Sequence, residues 1–122
     1  MDKAQSIQSF WSSFGIPAYD ENSVPDDAVK PYITYNCSID ELGSMTTMYA
    51  SLWYYSTNWV DIMAKTKEIE KKLSHGGVLI PIEGRGFTWI VKGHPFAQKM
   101  SEESDDMIRR VYINLQVEYL SN

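Results

Sequence analysis

Val111-Tyr112-Ile113-Asn114-Leu115-Gln116-Val117-Glu118-Tyr119 decides the fold of this chain. Its apolar members, Val111, Ile113, Leu115, Val117 and Tyr119, alternate with Tyr112, Asn114, Gln116 and Glu118. A period of two is the mark of a β-strand with one face turned to a core and one to solvent. No other stretch is as regular, so this strand is expected inside the sheet, with the rest of the chain supplying its neighbours.

Working outward, Tyr32–Ile39 is strand-like, with Ile33, Tyr35, Cys37 and Ile39 in phase, and Asp40–Ser44 reads as a turn. Met45–Ser56 is a longer strand rich in Thr, Tyr and Trp. Met48, Ala50, Leu52 and Tyr54 share one of its faces, and Thr47, Tyr49, Ser51, Trp53 and Tyr55 the other. Neither face is clearly polar, which suits a strand in mid-core or one that meets another subunit. A hairpin between these two strands is the simplest pairing. Val78–Glu83 and Gly86–Lys92 form a second hairpin across Glu83-Gly84-Arg85-Gly86, and Pro81 marks its first strand as an edge or bulged one. Gly93–Ser104 reads as a long excursion before the final strand.

Two stretches carry helical spacing. Ala4, Ile7, Phe10, Trp11 and Phe14 make Lys3–Phe14 an amphipathic helix, with Asp2 as N-cap and Gly15 past its end. Ile62, Thr66, Ile69 and Leu73, widened by Trp59 and Met63, mark a helix capped by Thr57 or Asn58 and ended by His75-Gly76-Gly77. Lys65, Lys67, Glu68, Glu70, Lys71 and Lys72 form its solvated side, with Glu68 and Lys72 set for an i, i+4 pair. Between the first helix and the first strand, Pro17, Pro25 and Pro31 are read as excluding a regular element from Ile16–Pro31, leaving a surface loop. The expected architecture is one α+β domain over residues 1–122: a mainly antiparallel sheet of four or five strands with both helices packed on one face.

Composition bounds the chemistry. The 122 residues carry a net charge of −5, which argues against a general nucleic-acid binder. A lone cysteine, Cys37, permits no internal disulfide and reads as a buried thiol. Met1–Phe14 lacks the apolar run of a signal peptide, and no stretch approaches a membrane span, so a protein of a reducing aqueous compartment is expected. His75 and His94 lie at no ligand spacing from each other or from Cys37; helix capping explains the first and a turn before Pro95 the second. Glu83-Gly84-Arg85-Gly86 lacks the lysine and hydroxyl ending of a phosphate loop. Glu102, Glu103, Asp105 and Asp106 do not match a calcium loop, and Arg109 and Arg110 balance them. No catalytic centre, metal or cofactor is expected.

The C-terminal half carries a resemblance. Gly93-His94-Pro95-Phe96-Ala97-Gln98, an acidic stretch, then Ile108-Arg109-Arg110-Val111-Tyr112-Ile113-Asn114-Leu115 resembles the tail terminator (tail completion) proteins of long-tailed bacteriophages. The order of elements, the helix start Tyr54–Asp61 and the segment Gly77–Glu83 fit as well, so the resemblance covers about residues 5 to 120. It implies a structural virion protein of the tail or neck, assembled in the host cytoplasm. Six copies would form a ring on the tail tube, stop its polymerisation and join the tail to the head connector or neck protein. It also implies a lumen through which DNA slides without specific binding, eased by carboxylates that repel phosphate.

On this reading the oligomer or tail-tube interface draws on Tyr49, Trp53, Arg85, Phe96, Glu102, Glu103, Asp105, Asp106 and Arg109. Met45–Ser56 is the candidate ring contact, and the Phe96–Arg110 excursion is expected to reach a neighbour or the tube. A head-side completion or tail-tube-related protein is the alternative. Tube proteins carry a long hairpin, and the hairpins here read as short, which favours the terminator. A small ligand-binding domain with an aromatic pocket is a third reading.

Overall fold

The stretch at 111–119 lies within a strand flanked on both sides, in a computed structural model that describes residues 1–37, 45–84 and 86–121, without the side chains of Cys37 and Ser121. The elements in order are α1 (Lys3–Ser12), β1 (Ala18–Asp20), β2 (Tyr32–Cys37), β3 (Met45–Tyr55), α2 (Val60–Lys72), β4 (Val78–Ile82), β5 (Gly86–Met100) and β6 (Ile108–Ser121). They build one six-stranded sheet in the order β1-β2-β3-β6-β5-β4. β6 pairs antiparallel with β3 from Tyr55↔Ile108 to Met45↔Glu118, and with β5 from Met100↔Arg110 to Gly86↔Ser121.

The alternation read from β6 holds residue by residue. Val111, Ile113, Leu115, Val117 and Tyr119 are each at most 1% exposed, whereas Tyr112, Asn114 and Glu118 are half-buried and Gln116 is exposed. The buried phase joins Ile33 and Tyr35 of β2, Met48, Ala50 and Leu52 of β3, and Ile90 of β5 in a single cluster. Both helices cover this face. α1 contributes Ile7, Phe10 and Trp11, followed by Phe14, and α2 contributes Ile62 and Ile69, followed by Leu73. Full burial of each large aliphatic side chain contributes about 1.5–3 kcal/mol. α1 is also tied to the sheet by polar groups. The Ser6 hydroxyl meets that of Thr88 on β5 at 2.7 Å, and Trp11 Nε1–H donates to Met48 Sδ at 3.4 Å.

The expected caps are present in part. Asp2 caps α1 in a reciprocal box with Gln5. Trp59, the N-cap of α2, makes no side-chain cap, but Asn58 Oδ1 accepts from Val60 N–H, two residues on, at 2.9 Å. At its far end His75, Gly76 and Gly77 all have positive φ. A Cβ on Gly77 would lie 2.2 Å from the Ile90 carbonyl oxygen, so this position requires glycine on both counts. The expected Glu68–Lys72 pair is not made. Lys65 pairs with Glu68 at 3.2 Å, and Lys72 turns to α1, donating to Ser13 Oγ and lying 5.2 Å from the Phe14 ring centre.

The sheet and its connections depart from the reading of the sequence in four respects. The sheet is mixed and six-stranded rather than mainly antiparallel with four or five strands, because β1 adds a parallel edge to β2. Ala18–Asp20 lies between Pro17 and Pro25, and the prolines that were read as excluding structure only bound it. Pro17 even serves the pairing, its carbonyl accepting from Ile33 N–H at 2.8 Å.

Gly93–Met100 is no loose excursion but the second half of β5. The register jumps from Lys92↔Leu115 to Ala97↔Ile113, so Gly93, His94, Pro95 and Phe96 together face Asn114. Such a bulge accommodates the proline without breaking the strand. A Cβ on Gly93 would stand 2.6 Å from the Asn114 carbonyl oxygen, so glycine permits the close approach. The hairpins are therefore not all short: β5 and β6 form one with arms of 15 and 14 residues. The hairpin of β2 and β3 and the edge position of β4 with Pro81 are as read. The turn at 40–44, Ile39, Arg85 and the burial of the Cys37 thiol lie outside the described residues. No helix of the described residues is long and apolar enough to cross a membrane.

Candidate functional site

Because both helices lie over one face of the sheet, the other is left open, and strand alternation dictates what it displays. β3 presents Tyr49, Ser51, Trp53 and Tyr55, and β6 presents Arg110, Tyr112, Asn114, Gln116 and Glu118. The register sets Trp53 beside Arg110, Ser51 beside Tyr112 and Tyr49 beside Asn114. β2 adds Tyr32, Thr34 and Asn36. Of the exposed large apolar residues Met1, Val29, Met45, Tyr49, Tyr55, Val60 and Leu79, the four Met45, Tyr49, Tyr55 and Leu79 belong to this face.

Arg110 is its centre. The guanidinium lies 4.7 Å from the Trp53 ring centre, Nε donates to Ser51 Oγ at 3.0 Å, and Nη1 pairs with Glu102 Oε1 at 3.2 Å. Trp53 Nε1–H donates to Thr34 Oγ1 at 2.9 Å. Tyr49 and Tyr112 stand side by side with ring centres 5.7 Å apart. Burial, and then the neighbouring Tyr49, raise the Tyr112 pKa, with Arg110 opposing them. Near the first strands, Tyr19 meets Tyr32 edge-on at 5.8 Å and Lys30 lies 5.6 Å from the Tyr32 ring centre. The result is a broad aromatic platform whose cations are held by rings and carboxylates.

Arg109 points to the opposite side. Its Nη1 donates to the Asp106 carbonyl at 2.7 Å, its Nη2 to the Thr57 carbonyl at 3.0 Å, and its Cζ lies 5.4 Å from the Trp59 ring centre. Lys99 Nζ sits 5.1 Å from the same ring centre. The two adjacent arginines thus grip the acidic loop from both faces of the sheet. Asp105 adds a third tie: its Oδ1 accepts from Met107 N–H at 2.8 Å, and its hydrogen bond with the Tyr55 hydroxyl raises the Tyr55 pKa. The excursion read over Phe96–Arg110 is thereby folded back on its own domain.

The interface residues read from sequence divide accordingly. Trp53 and Glu102 meet through Arg110, Tyr49 stands on the open face, and Asp106 meets Arg109. Phe96 packs against the core cluster, and Glu103 is exposed. Arg85 lies outside the described residues. Arg110, Tyr112 and Trp59 were not singled out as site residues. The signal for the first two was present, since Arg110 and Tyr112 share the polar phase of β6 while Arg109 is in phase with Val111.

This surface offers ring faces for packing and hydroxyl, amide and guanidinium groups for hydrogen bonding. Among the described residues no group of three or more His, Cys, Asp or Glu is placed to hold a metal ion. A depression of about 440 Å³ is bordered by Asp2, Lys3, Ala4, Ile82 and Glu83. A smaller one of about 210 Å³ lies among Trp59, Met100, Glu102, Asp106 and Arg109. Tyr54, on the helix side of β3, has its pKa raised by burial first and then by Asp61 and Glu68. A raised tyrosine pKa means the fold favours the neutral phenol. That contribution is complete below the unfolded-state value and is lost as pH climbs through the folded-state value. Melting temperatures measured from about pH 8 to about pH 11 should therefore fall less steeply for Tyr54→Phe than for wild type; parallel alkaline limbs would show that Tyr54 is not responsible.

Comparison with protein-family models, with curated proteins and with solved structures finds no match.

Proposed function

We propose that this chain is a structural protein of the head–tail junction of a tailed bacteriophage. Six copies close a ring on the last ring of the tail tube, end its growth and provide the seat for the head connector or neck protein. The observation that carries the reading is the open aromatic face of β3 and β6, with Tyr49 and Tyr55 exposed at 43% and 57%. Tyrosine and tryptophan on an uncovered sheet are the residues that protein interfaces favour. Since the other phase of β3 is spent on the chain's own core, only this face is left for a neighbour, and we assign it to the tube ring. The resemblance adds support, because the residues that carry it form the bulge of β5 and the start of β6. A net charge of −5 suits a conduit that DNA passes without sticking.

The length of the β5–β6 hairpin favours a second reading, a tail-tube-related protein, since the argument from short hairpins no longer holds. One experiment separates the two. Purified chain is mixed with growing tail tubes, and tube lengths and ends are measured by electron microscopy. The terminator reading expects six-fold caps on one end and arrested growth. Incorporation along the tube favours the second reading, and a monomer that never binds a tube overturns both.

A further inference from the structure

We propose that the exposed stripe of α2, Val60–Ala64–Lys67–Lys71, is the docking surface for the Asp26–Val29 segment of a second copy. This inference rests on the ring reading above and names the contact by which one copy follows the next.

The starting point is an exception in the way cations are used. Among the described residues, nearly every Lys and Arg is engaged by a ring, a carbonyl or a carboxylate. Lys3 lies over Tyr119, Lys30 over Tyr32, and Lys99 and Arg109 over Trp59. Lys65 and Lys92 pair with Glu68 and Glu70, Arg110 with Glu102, and Lys72 bonds Ser13. Lys67 and Lys71 are left over, both exposed and one turn apart. They continue a stripe begun by Val60, 69% exposed, and the exposed Ala64. In a chain of net charge −5, this is a cationic strip with an apolar head and no partner among the described residues.

Its complement lies between β1 and β2. The Ala28 N–H bonds the Pro25 carbonyl at 3.1 Å, closing a turn with Asp26 and Asp27 at its tip. Both are exposed and without a partner among the described residues, and Val29 beside them is 79% exposed. Two acids and a valine thus face solvent on one part of the molecule, and two lysines and a valine on another. The two patches are distinct surfaces. One is the turn that follows the outer strand β1, and the other is the solvent side of α2, which lies over the central strands β3 and β6. Complementary patches that differ from each other on one subunit are what a heterologous, head-to-tail contact uses, and rotation closes such contacts into a ring. The acids at the turn also settle register, since like charges set opposite each other repel.

The test is a charge swap read by sedimentation of the full chain, alone and with tail tubes, over a range of concentration and salt. Lys67→Glu with Lys71→Glu should raise the midpoint concentration for assembly by about 10-fold or more, as should Asp26→Lys with Asp27→Lys. The four changes combined should return it to within about 3-fold of wild type. Circular dichroism and urea midpoints of all variants establish that they fold. Should the glutamate pair fold poorly, Lys67→Gln with Lys71→Gln replaces it, and assembly is then expected to lose most of its salt dependence. Rings that form equally well in every variant, or a swap that does not restore assembly, overturn this contact and leave the ring reading standing. A wild-type chain that assembles neither alone nor on tubes overturns both.

Discussion

Trp11→Ala is expected to cost about 3–5 kcal/mol of unfolding free energy, a large part of what a domain of this size possesses. Trp11 is 0% exposed and lies where α1 crosses the sheet. It meets Phe10 edge-on at 4.9 Å, stacks near Tyr35 at 6.4 Å and donates to the sulfur of Met48 on β3. Truncation removes the largest buried side chain and leaves a void bounded by a helix and two strands, neither of which can close on it without losing other contacts. Urea unfolding followed by far-UV circular dichroism measures the loss. A decrease smaller than about 1.5 kcal/mol would show that α1 is not held as described.

Tyr49→Ala is expected to do the reverse: leave the fold nearly intact and remove assembly on the tube. At 43% exposure Tyr49 contributes little to the core, so its removal should change stability by no more than about 1 kcal/mol. At the middle of an interface the same ring is a hot-spot type, and truncation should weaken tube binding by about 30-fold or more. Tube capping by Tyr49→Ala at wild-type concentrations would remove the open face of β3 and β6 from the interface.

Much of this arrangement was legible in the residues. The phase of β6, the apolar phase of β3, the stripes of α1 and α2 and the edge position of β4 follow from periodicities of two and 3.6 and from the chemistry of proline. The candidate site was half legible. Tyr49 and Trp53 were singled out from a strand with two apolar-looking faces. Arg110 was not, because its role depends on lying beside Trp53 and within reach of Glu102, a relation that spans more than 50 residues of sequence for the first pair. Phe96 illustrates the converse. An aromatic residue beside proline reads as an exposed anchor, yet the bulge of β5 turns it onto the core.

The sequence by itself determined which side of each element would be buried, since the spacing of side chains along a helix or strand is a local property of the backbone. That is why Val111–Tyr119 could be placed in the core, one residue in two, before any neighbour was known. Only the tertiary structure decided which strands lie beside it, that three residues after Pro17 would extend the sheet in parallel, and that four residues of β5 would crowd opposite Asn114. It also decided that the helices would leave Tyr112 and its polar-phase companions uncovered. Those outcomes depend on register and layering between distant segments, where many pairings satisfy the same periodicity and packing of the whole core selects one.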